Sequence, residues 1–578
     1  MESTQHYRKE GKMTYDLKPI NVPRLTGHQL RMFVKLLEKP FISKILVHKI
    51  FRDFRFESFQ KMFLEEVPLF QPYLAPEKCP TKTEADRSLS LLEYKESKQV
   101  PSGFAFKTVQ DFAQAYRKKL TTPEEIGQWI LKSIRKSNEF FPPLRAMIAW
   151  DVGDIIDQAH KSAQRFLNGR PLSIFDGVPI AVKDEVDQVP YGTTLGTRFL
   201  GKDPAVQDAT VVSRLRAAGA LLIGKTNMHE IGIGITGFNT QYGTPWNPYG
   251  LEHYTGGSSS GSAVAVAIGL CPVATGSDSG GSIRIPASFC GVVGLKPTWG
   301  RVSEFRTFPS CWSVAHTGLI AGTVRDVAMT YTLIAGPDPM DRCTKGQPAV
   351  NLIGFEDTNL KGVRLGIYEP WFTDADSEVV TKCEQAIREL EKRGAQTKEI
   401  VLPELDAARI AHAITISSEM ATAMKPHFAQ HQFDFGLDVR ANLAFARHFT
   451  SIDYIKAQQI RARTMAQFHK VFEKVDAIAT PTTACTAPPR LPDIMPQGES
   501  DIGLLTQIMK HSTVANLIGI PAISLPAGYD SQGLPIGIQF MGRHWEENLI
   551  LRIAYSLEET VTKKAPYVYY SFTEMARL

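Results

Sequence analysis

Residues 276–291 read GSDSGGSIRIPASFCG, and the interpretation of the whole chain starts from this stretch. It places small and hydroxyl-bearing residues between two apolar runs, with paired glycines at Gly280 and Gly281. A loop that only reverses the chain needs one glycine, whereas consecutive glycines let a backbone come close to another group. Ser282 and Arg284 follow at once. The stretch therefore predicts a loop that is built for close approach.

The composition is that of a globular protein, because 43% of the 578 residues are hydrophobic and 22% are charged. The net charge of +5 comes from the N-terminal region, where residues 1–60 contain 12 Lys/Arg and 6 Asp/Glu. The rest of the chain has no basic excess, which argues against a nucleic-acid partner.

Seven scattered cysteines without a CxxC pair argue against a zinc site and against a disulfide framework. The first 25 residues are polar, so we expect no signal peptide. The longest apolar runs, such as residues 263–270, are far shorter than the ~20 residues that a spanning helix needs. We therefore expect an intracellular protein with no metal or other cofactor.

Two basic amphipathic helices are predicted within residues 26–52. Thr26 followed by Gln29 forms a capping-box pattern, and apolar residues then recur at i, i+3, i+4 and i+7. Pro40 ends the first helix because it lacks an amide donor. The apolar faces pack on the protein's own core or contact a membrane surface or second subunit, which a basic amphipathic helix also suits.

Residues 71–105 are rich in Pro, Lys and Glu without a clear period and are typical of a linker or wrapping segment. From about residue 108 onward, helical stretches alternate with short apolar runs. This alternation indicates an α/β architecture. We therefore divide the chain into an N-terminal helical and wrapping segment, residues 1–105, and a main domain, residues 106–578.

Three short motifs match well-known patterns without their structural context. Residues 219–226, GALLIGKT, fit the phosphate-binding GxxxxGK[ST] pattern, but the apolar filler predicts a buried strand and not a flexible loop. Residues 232–237, GIGITG, fit GxGxxG without a strand before them and a helix after them. Ser259 in GSSSG fits a nucleophile elbow, but a polar loop stands where the elbow needs a buried strand.

Three segments together carry a specific resemblance. They are PIAVKDEVD at 179–187, TGGSSSGSAVAVAIG at 255–269 and GSDSGGSIRIP at 276–286. In this order they resemble the amidase signature family, and the resemblance covers about residues 105–578. It implies a central, twisted, mixed β-sheet covered by helices on both faces, with residues 106–578 as the catalytic domain.

The resemblance implies a Ser-Ser-Lys triad, with Lys183 as base, Ser258 as relay and Ser282 as nucleophile. It also implies a cis peptide bond between Gly257 and Ser258. A serine hydroxyl is a poor nucleophile until a base takes its proton, and lysine is a base only when neutral. Lys183 follows an apolar run, so we expect burial to lower its pKa.

The glycine-rich loop is expected to stabilise the oxyanion of a tetrahedral intermediate with preorganised amide donors. The expected donors are the backbone N–H groups of Ser279, Gly280, Gly281 and Ser282. Asp278 and Arg284 are expected either to brace this loop by hydrogen bonds or to form an ordinary buried ion pair.

Within the family, the N-terminal stretch RLTGHQLRMFVKLLEKPFISKILV at 24–47 resembles plant fatty acid amide hydrolases, as do residues 370–387 and 533–547. This implies hydrolysis of N-acylethanolamines to a fatty acid and ethanolamine by a homodimer. It also implies peripheral association of residues 26–52 with an intracellular membrane, the endoplasmic reticulum or the plasma membrane.

A candidate acyl pocket lies near a segment, ITGFNTQYG at 235–243, that departs from the plant pattern and leaves the acyl preference open. Ile231 and Ile233 also fit an ordinary core. The candidate pocket residues are Met228, Ile231, Gly232, Ile233 and Thr236.

Two other functions are weighed. One is an amidase of the same signature that acts on small polar amides or serves as an amidotransferase A-type subunit, although basic N-terminal helices do not suit an ammonia-delivering subunit. The other is a non-enzymatic binding protein, against which the presence of Lys183, Ser258 and Ser282 argues.

Overall fold

A computed structural model of the protein describes residues 15–20, 22–76, 103–494 and 496–577. Most of the linker predicted at 71–105 lies outside these residues. The strands, in chain order, are β1 (Leu25–Thr26), β2 (Met147–Ala149), β3 (Pro179–Lys183), β4 (Leu221–Thr226), β5 (Val273–Ser277), β6 (Val293–Lys296), β7 (Thr317–Ala321), β8 (Arg364–Ile367), β9 (Gln396–Glu399), β10 (Ala477–Pro481), β11 (Glu499–Ser500), β12 (Ala522–Tyr529) and β13 (Pro535–Gly542).

In the described part of the chain, eleven of these strands form one mixed sheet in the order β2-β4-β3-β5-β7-β6-β12-β13-β10-β8-β9. β3 pairs in parallel with both β4 and β5, whereas β12 and β13 form an antiparallel hairpin. β3 and β4 are buried along their whole length. Continuous apolar runs of this kind are expected where helices cover both faces of a sheet.

Helices flank the sheet and form the N-terminal region. They are α1 (Gly27–Leu37), α2 (Pro40–Asp53), α3 (Phe56–Lys61), α4 (Val109–Arg117), α5 (Pro123–Glu139), α6 (Val152–Leu167), α7 (Thr210–Ala217), α8 (Ser260–Ala267), α9 (Arg284–Phe289), α10 (Val324–Ile334), α11 (Glu369–Phe372), α12 (Ser377–Lys392), α13 (Leu405–His431), α14 (Leu437–Ala446), α15 (Ser451–Phe472), α16 (Ile502–Met509), α17 (Thr513–Leu517) and α18 (Glu547–Glu558).

The predicted α/β alternation is confirmed. GALLIGKT contributes the fully buried strand β4, as its apolar filler predicts, and is not a phosphate loop. α8 is buried on every side, because its sequence SGSAVAVA consists of small and apolar residues that pack closely beneath the sheet. The ends of β3 and β5 are therefore fixed within a tightly packed core.

Two helices form in the N-terminal region as predicted, but the capping box does not. Thr26 precedes α1 without capping it, because its hydroxyl donates to Asp493 Oδ2 at 3.0 Å instead. Pro40 begins α2, so the break between the two helices falls just before it. Leu30 and Val34 of α1 are buried in a cluster that includes residues of α14.

Two further contacts hold α1 to the main domain. Glu38 accepts two hydrogen bonds from the guanidinium of Arg440 on α14, at 2.8 and 2.9 Å. β1 pairs with β11, next to α16. One side of the helix pair is therefore packed on the protein itself.

The outer side of the helix pair is apolar at several exposed positions. Met32 is 52% exposed, Phe41 89% and Ile45 74%. Across the described residues, none of the helices combines the length and apolar character that crossing a bilayer requires.

Candidate active site

The side chains of the three resembling segments meet at one end of the central strands. Lys183 is the last residue of β3, and Ser277 is the last residue of the neighbouring parallel strand β5. Because parallel neighbours end at the same edge of a sheet, these two side chains are brought together. Ser258 lies in the loop that leads into α8, and Ser282 lies just before α9.

The amine of Lys183 is fully buried and has three polar neighbours. Its Nζ atom lies 2.9 Å from Ser258 Oγ and 2.8 Å from Ser277 Oγ. The third neighbour is Glu185 Oε1, at 3.3 Å. The amine therefore sits between two hydroxyl groups and one carboxylate.

Burial lowers the pKa of Lys183, and the nearby carboxylates of Glu185 and Asp278 oppose that shift without cancelling it. The net direction is toward a neutral amine, as the sequence predicts. A second buried pair stands beside this one, with Lys225 Nζ 3.4 Å from Asp184 Oδ1.

The two serine loops are held against each other. The amide of Ser259 donates to the carbonyl of Ser282 at 3.2 Å, and the Gly257–Ser258 bond is cis, as the family resemblance implies. The carbonyl of Ser258 accepts from the amide of His229 at 3.1 Å. Ser258 and Ser282 are both buried.

Ser259, the centre of the elbow-like motif, is already engaged. Its hydroxyl donates to the backbone carbonyl of Ser277 at 3.2 Å, and the residue is completely buried. The buried amine of Lys183 contacts Ser258 and Ser277 instead. The structure thus places Ser259 in a backbone-bracing role.

Asp278 is the centre of a buried hydrogen-bond network. Its carboxylate accepts from Arg284 Nε and Nη2 at 2.9 and 3.0 Å, from the amide of Ile283 at 3.1 Å and from Asn516 Nδ2 at 2.9 Å. Burial acts to raise the pKa of Asp278, but Arg284, Lys296 and Asn516 outweigh it and hold that pKa well below its usual range. Asp278 and Arg284 are thus a buried ion pair that also fixes the glycine-rich loop.

One of the four expected amide donors is engaged elsewhere. The N–H of Gly281 donates to Asp278 Oδ1 at 2.6 Å, so the expectation for Gly281 as an oxyanion donor is not met here. No described residue accepts a hydrogen bond from the N–H of Ser279, Gly280 or Ser282. Three amides therefore remain available at the loop.

Gly280 and Gly281 are glycines because neighbouring atoms leave no room for a side chain at either position. A Cβ atom on Gly281 would lie 2.5 Å from Ile285 Cδ1 and 2.7 Å from Ser512 Oγ, and the residue has a φ of +124°. A Cβ atom on Gly280 would lie 2.8 Å from Met509 Cε and 3.0 Å from His412 Cε1. Any larger side chain would displace the loop or its neighbours.

Several residues that brace this loop come from distant parts of the sequence. His412 Nε2 lies 2.6 Å from the carbonyl oxygen of Ser279, and Ser512 donates to the carbonyl of Gly280 at 2.7 Å. Burial lowers the pKa of His412 to about 4, so the ring is neutral and donates from Nε2. The sequence holds no local signal for these residues, because His412 lies in the ordinary helical stretch of α13 and Ser512 in the turn before α17.

The candidate acyl-pocket residues fall in different surroundings. Gly232 lies near Ser258, since a Cβ there would be 3.6 Å from Ser258 Oγ and 3.8 Å from Met228 Cε. Ile231 and Ile233 belong to an apolar cluster with α13 and α14. Thr236 is buried and accepts a hydrogen bond from the amide of Phe238 at 3.4 Å.

Within the described residues, no group of three or more His, Cys, Asp or Glu side chains is placed to hold a metal ion. The amine of Lys183 meets the hydroxyls of Ser258 and Ser277 and the carboxylate of Glu185. The adjoining loop carries Ser282 and three amides that no described residue accepts from. Together they can activate a hydroxyl and stabilise a developing negative charge.

The geometry agrees with comparisons to known proteins. Residues 128–551 match the family model described as "Amidase". The chain is 39% identical over 576 residues to the fatty acid amide hydrolase of Oryza sativa subsp. indica, covering 95% of each chain. It is 34% identical over 484 residues to the A-type subunit of the glutamyl-tRNA(Gln) amidotransferase of Halothermothrix orenii, covering 79% of this chain and 98% of the relative.

Among solved structures, the chain is similar to native peptide amidase from Stenotrophomonas maltophilia. The two share 29% sequence identity with a TM-score of 0.69, over 80% of this chain and 99% of the peptide amidase.

Proposed function

The chain belongs to the amidase family, and on that premise we propose that it is a serine hydrolase that cleaves the amide bond of N-acylethanolamines. The products are a free fatty acid and ethanolamine. The observation that carries the substrate class is the 39% identity to a plant fatty acid amide hydrolase over 95% of both chains. The amidotransferase subunit matches over only 79% of this chain.

The reaction begins with neutral Lys183. Its amine takes a proton from Ser258 Oγ, 2.9 Å away, while Ser258 takes the proton of Ser282. Ser282 Oγ then attacks the carbonyl carbon of the amide and forms a tetrahedral intermediate. The contact between the Ser259 amide and the Ser282 carbonyl, at 3.2 Å, supports this step because it keeps the two loops adjacent.

The oxyanion of the intermediate accepts hydrogen bonds from the amides of Ser279, Gly280 and Ser282. These groups are already oriented, because Asp278 and Arg284 fix the loop from behind. Preorganised donors stabilise a developing charge without reorganising as the reaction proceeds, and losing one typically costs ~10²–10³ in rate.

Collapse of the intermediate expels ethanolamine. An amine anion is a very poor leaving group, so the ammonium of Lys183 returns its proton through Ser258 to the departing nitrogen. The acyl group stays on Ser282 as an ester until water, activated by the same base, releases the fatty acid. Lys183 is therefore both general base and general acid.

The fatty acyl chain is proposed to lie against the segment that contains Met228, Ile231, Gly232, Ile233 and Thr236. Gly232 supports this placement because a Cβ built on it would lie 3.6 Å from Ser258 Oγ. Beyond it, an apolar cluster formed with α13 and α14 includes Met420, Met424 and Phe428, which suits an alkyl chain.

A long acyl chain partitions into bilayers, so the enzyme is proposed to work at a membrane surface. Residues 26–52 supply the docking surface, with residues 1–105 as the N-terminal docking and wrapping segment. Exposed Met32, Phe41 and Ile45 on a helix pair rich in Lys and Arg support this assignment. The proposal includes a homodimer on an intracellular membrane, which light scattering and cell fractionation test.

The direct test is a substrate panel. Acyl ethanolamides of different chain lengths, glutamine and acetamide are incubated with the purified protein and with Ser282→Ala. Turnover of the acyl ethanolamides, absent in the variant, is expected. Faster turnover of glutamine or acetamide would instead favour the small-amide or amidotransferase alternative, which the 34% identity to an amidotransferase subunit makes the second candidate.

A further inference from the structure

Glu185 is a buried carboxylate that the proposed reaction does not use. Its side chain is 5% exposed, and its Oε1 atom lies 3.3 Å from Lys183 Nζ. Among the described residues that oxygen accepts no hydrogen bond of regular geometry, so the ion-pair contact with Lys183 is its main polar interaction. A buried carboxylate is costly unless it is paired, so this contact needs a reason.

We propose that Glu185 is a positioning residue for the amide hydrolysis: it fixes the orientation of the Lys183 amine and stabilises the ammonium that forms during proton transfer. This inference rests on the proposed function, because it places Glu185 in the same proton transfer.

The orientation follows from hydrogen-bond valence. A neutral amine has two N–H donors and one lone pair, and the Lys183 amine has three polar neighbours. A carboxylate only accepts, so an amine that turns one N–H toward Glu185 would satisfy an oxygen that no described residue hydrogen-bonds. The lone pair must then face a hydroxyl, and Ser258 is the hydroxyl whose loop adjoins Ser282.

The charge acts when Lys183 becomes protonated. In a buried site, attraction between opposite charges about 3 Å apart is much stronger than in water. In other hydrolases a buried carboxylate stabilises the protonated form of a catalytic histidine by the same electrostatic attraction. Glu185 thus stabilises the ammonium that must later protonate the leaving amine.

Other groups act on this pair from neighbouring elements. Asp278 and Cys311 interact electrostatically with Lys183. Lys225 and Glu304 interact electrostatically with Glu185. Two of them are already paired: the carboxylate of Asp278 is held by Arg284, and Lys225 contacts Asp184. Glu185 is therefore the carboxylate in direct contact with the base.

The chain offers a matched control one residue away. Asp184, which directly follows β3, and Lys225 on the neighbouring strand β4 are also a buried carboxylate–amine pair, separated by 3.4 Å. The carboxylate of Asp184 pairs with Lys225 and not with the amine of Lys183. Asp184→Asn therefore removes a buried negative charge from the same region without touching the base.

The experiment measures the rate at which a fluorophosphonate labels Ser282 as a function of pH, which needs no knowledge of the natural substrate. In Glu185→Gln the carboxylate no longer raises the pKa of Lys183, so the acid limb of the pH profile is expected to move to lower pH. The labelling rate at about pH 8 is expected to fall about 10-fold or more, because the ammonium is less stable. In Asp184→Asn the acid limb is expected to stay in place.

Glu185→Asp is a second variant in case Glu185→Gln folds poorly, and thermal unfolding of each variant shows whether it is folded. It keeps the charge but withdraws it by one methylene, so a smaller shift in the same direction is expected. An unmoved acid limb in both Glu185 variants, or an equal shift in Asp184→Asn, would overturn the inference while the wild type still labels. A wild type that does not label at all would overturn the proposed function itself.

Discussion

The amine of Lys183 lies 2.9 Å from the hydroxyl of Ser258, although the two residues are 75 positions apart in the chain. The distance is set by two rigid features, the buried end of β3 and the loop before α8. Because Lys183 is completely buried, the pair is shielded from water and the amine is held toward its neutral form. The proposed chemistry depends on this contact.

Ser282→Ala is expected to abolish both amide turnover and fluorophosphonate labelling, because it removes the proposed nucleophile. Ser259→Ala is the matched control, since Ser259 lies in the same loops but its hydroxyl donates to the Ser277 carbonyl. Losing that bond costs only about 1 kcal/mol of stability. Mass spectrometry of the adduct identifies the labelled serine. A label on Ser259 in the wild type would contradict the assignment of Ser282 as the nucleophile.

Gly281→Ala is expected to reduce activity and to lower the free energy of unfolding more than Gly354→Ala. Both glycines have positive φ, and an alanine in that region costs about 1–2 kcal/mol. Gly354 has open space around its Cβ position, whereas Gly281 would gain a 2.5 Å contact with Ile285, which adds about 1–3 kcal/mol. Denaturant unfolding measures both. Equal losses would show that the space around Gly281 is not limiting.

Asp278→Asn is expected to destabilise the fold by about 3–5 kcal/mol, because it leaves Arg284 buried without its partner. The pKa of Asp278 is lower in the folded than in the unfolded chain. Its carboxylate therefore stabilises the fold above about pH 4, and this contribution is lost as the pH falls further.

The free energy of unfolding, measured between about pH 3 and pH 7, should accordingly fall less steeply toward acid in the variant than in the wild type. Parallel curves for the two proteins would mean that Asp278 is not ionised through its contact with Arg284.

Phe41→Ser combined with Ile45→Ser is expected to weaken binding to anionic phospholipid vesicles, because both side chains are exposed on the basic helix pair. Leu167→Ser is the control, since Leu167 is 78% exposed on a different helix, α6. Co-sedimentation with vesicles gives the bound fraction. If all variants sediment like the wild type, the helix pair is not the docking surface.

Local patterns were enough to predict the α/β architecture, and the family resemblance supplied the expected roles of the loop residues. Buried apolar runs predicted β3 and β4, because a strand covered on both faces has no polar alternation. The structure brings Lys183, at the end of β3, next to Ser258 in the loop before α8, and the loop of Ser282 adjoins them.

The rest depended on contacts between distant segments. The Thr26 capping box was wrong because Asp493, far along the chain, takes the threonine hydroxyl. Gly281 was expected to donate to the oxyanion, but its N–H donates a hydrogen bond to the Asp278 carboxylate. His412 and Asn516, which brace the loop, lie in helical stretches whose sequence carries no sign of a partner.

The central claim is that neutral Lys183 takes the proton of Ser282 and returns it to the leaving amine. Lys183→Ala, assayed on a matched fatty acyl amide and ester, tests it most directly, because an alkoxide leaves without the help that an amine needs. The account predicts that amide hydrolysis falls by at least about 10-fold more than ester hydrolysis. Equal losses on the two substrates would contradict it.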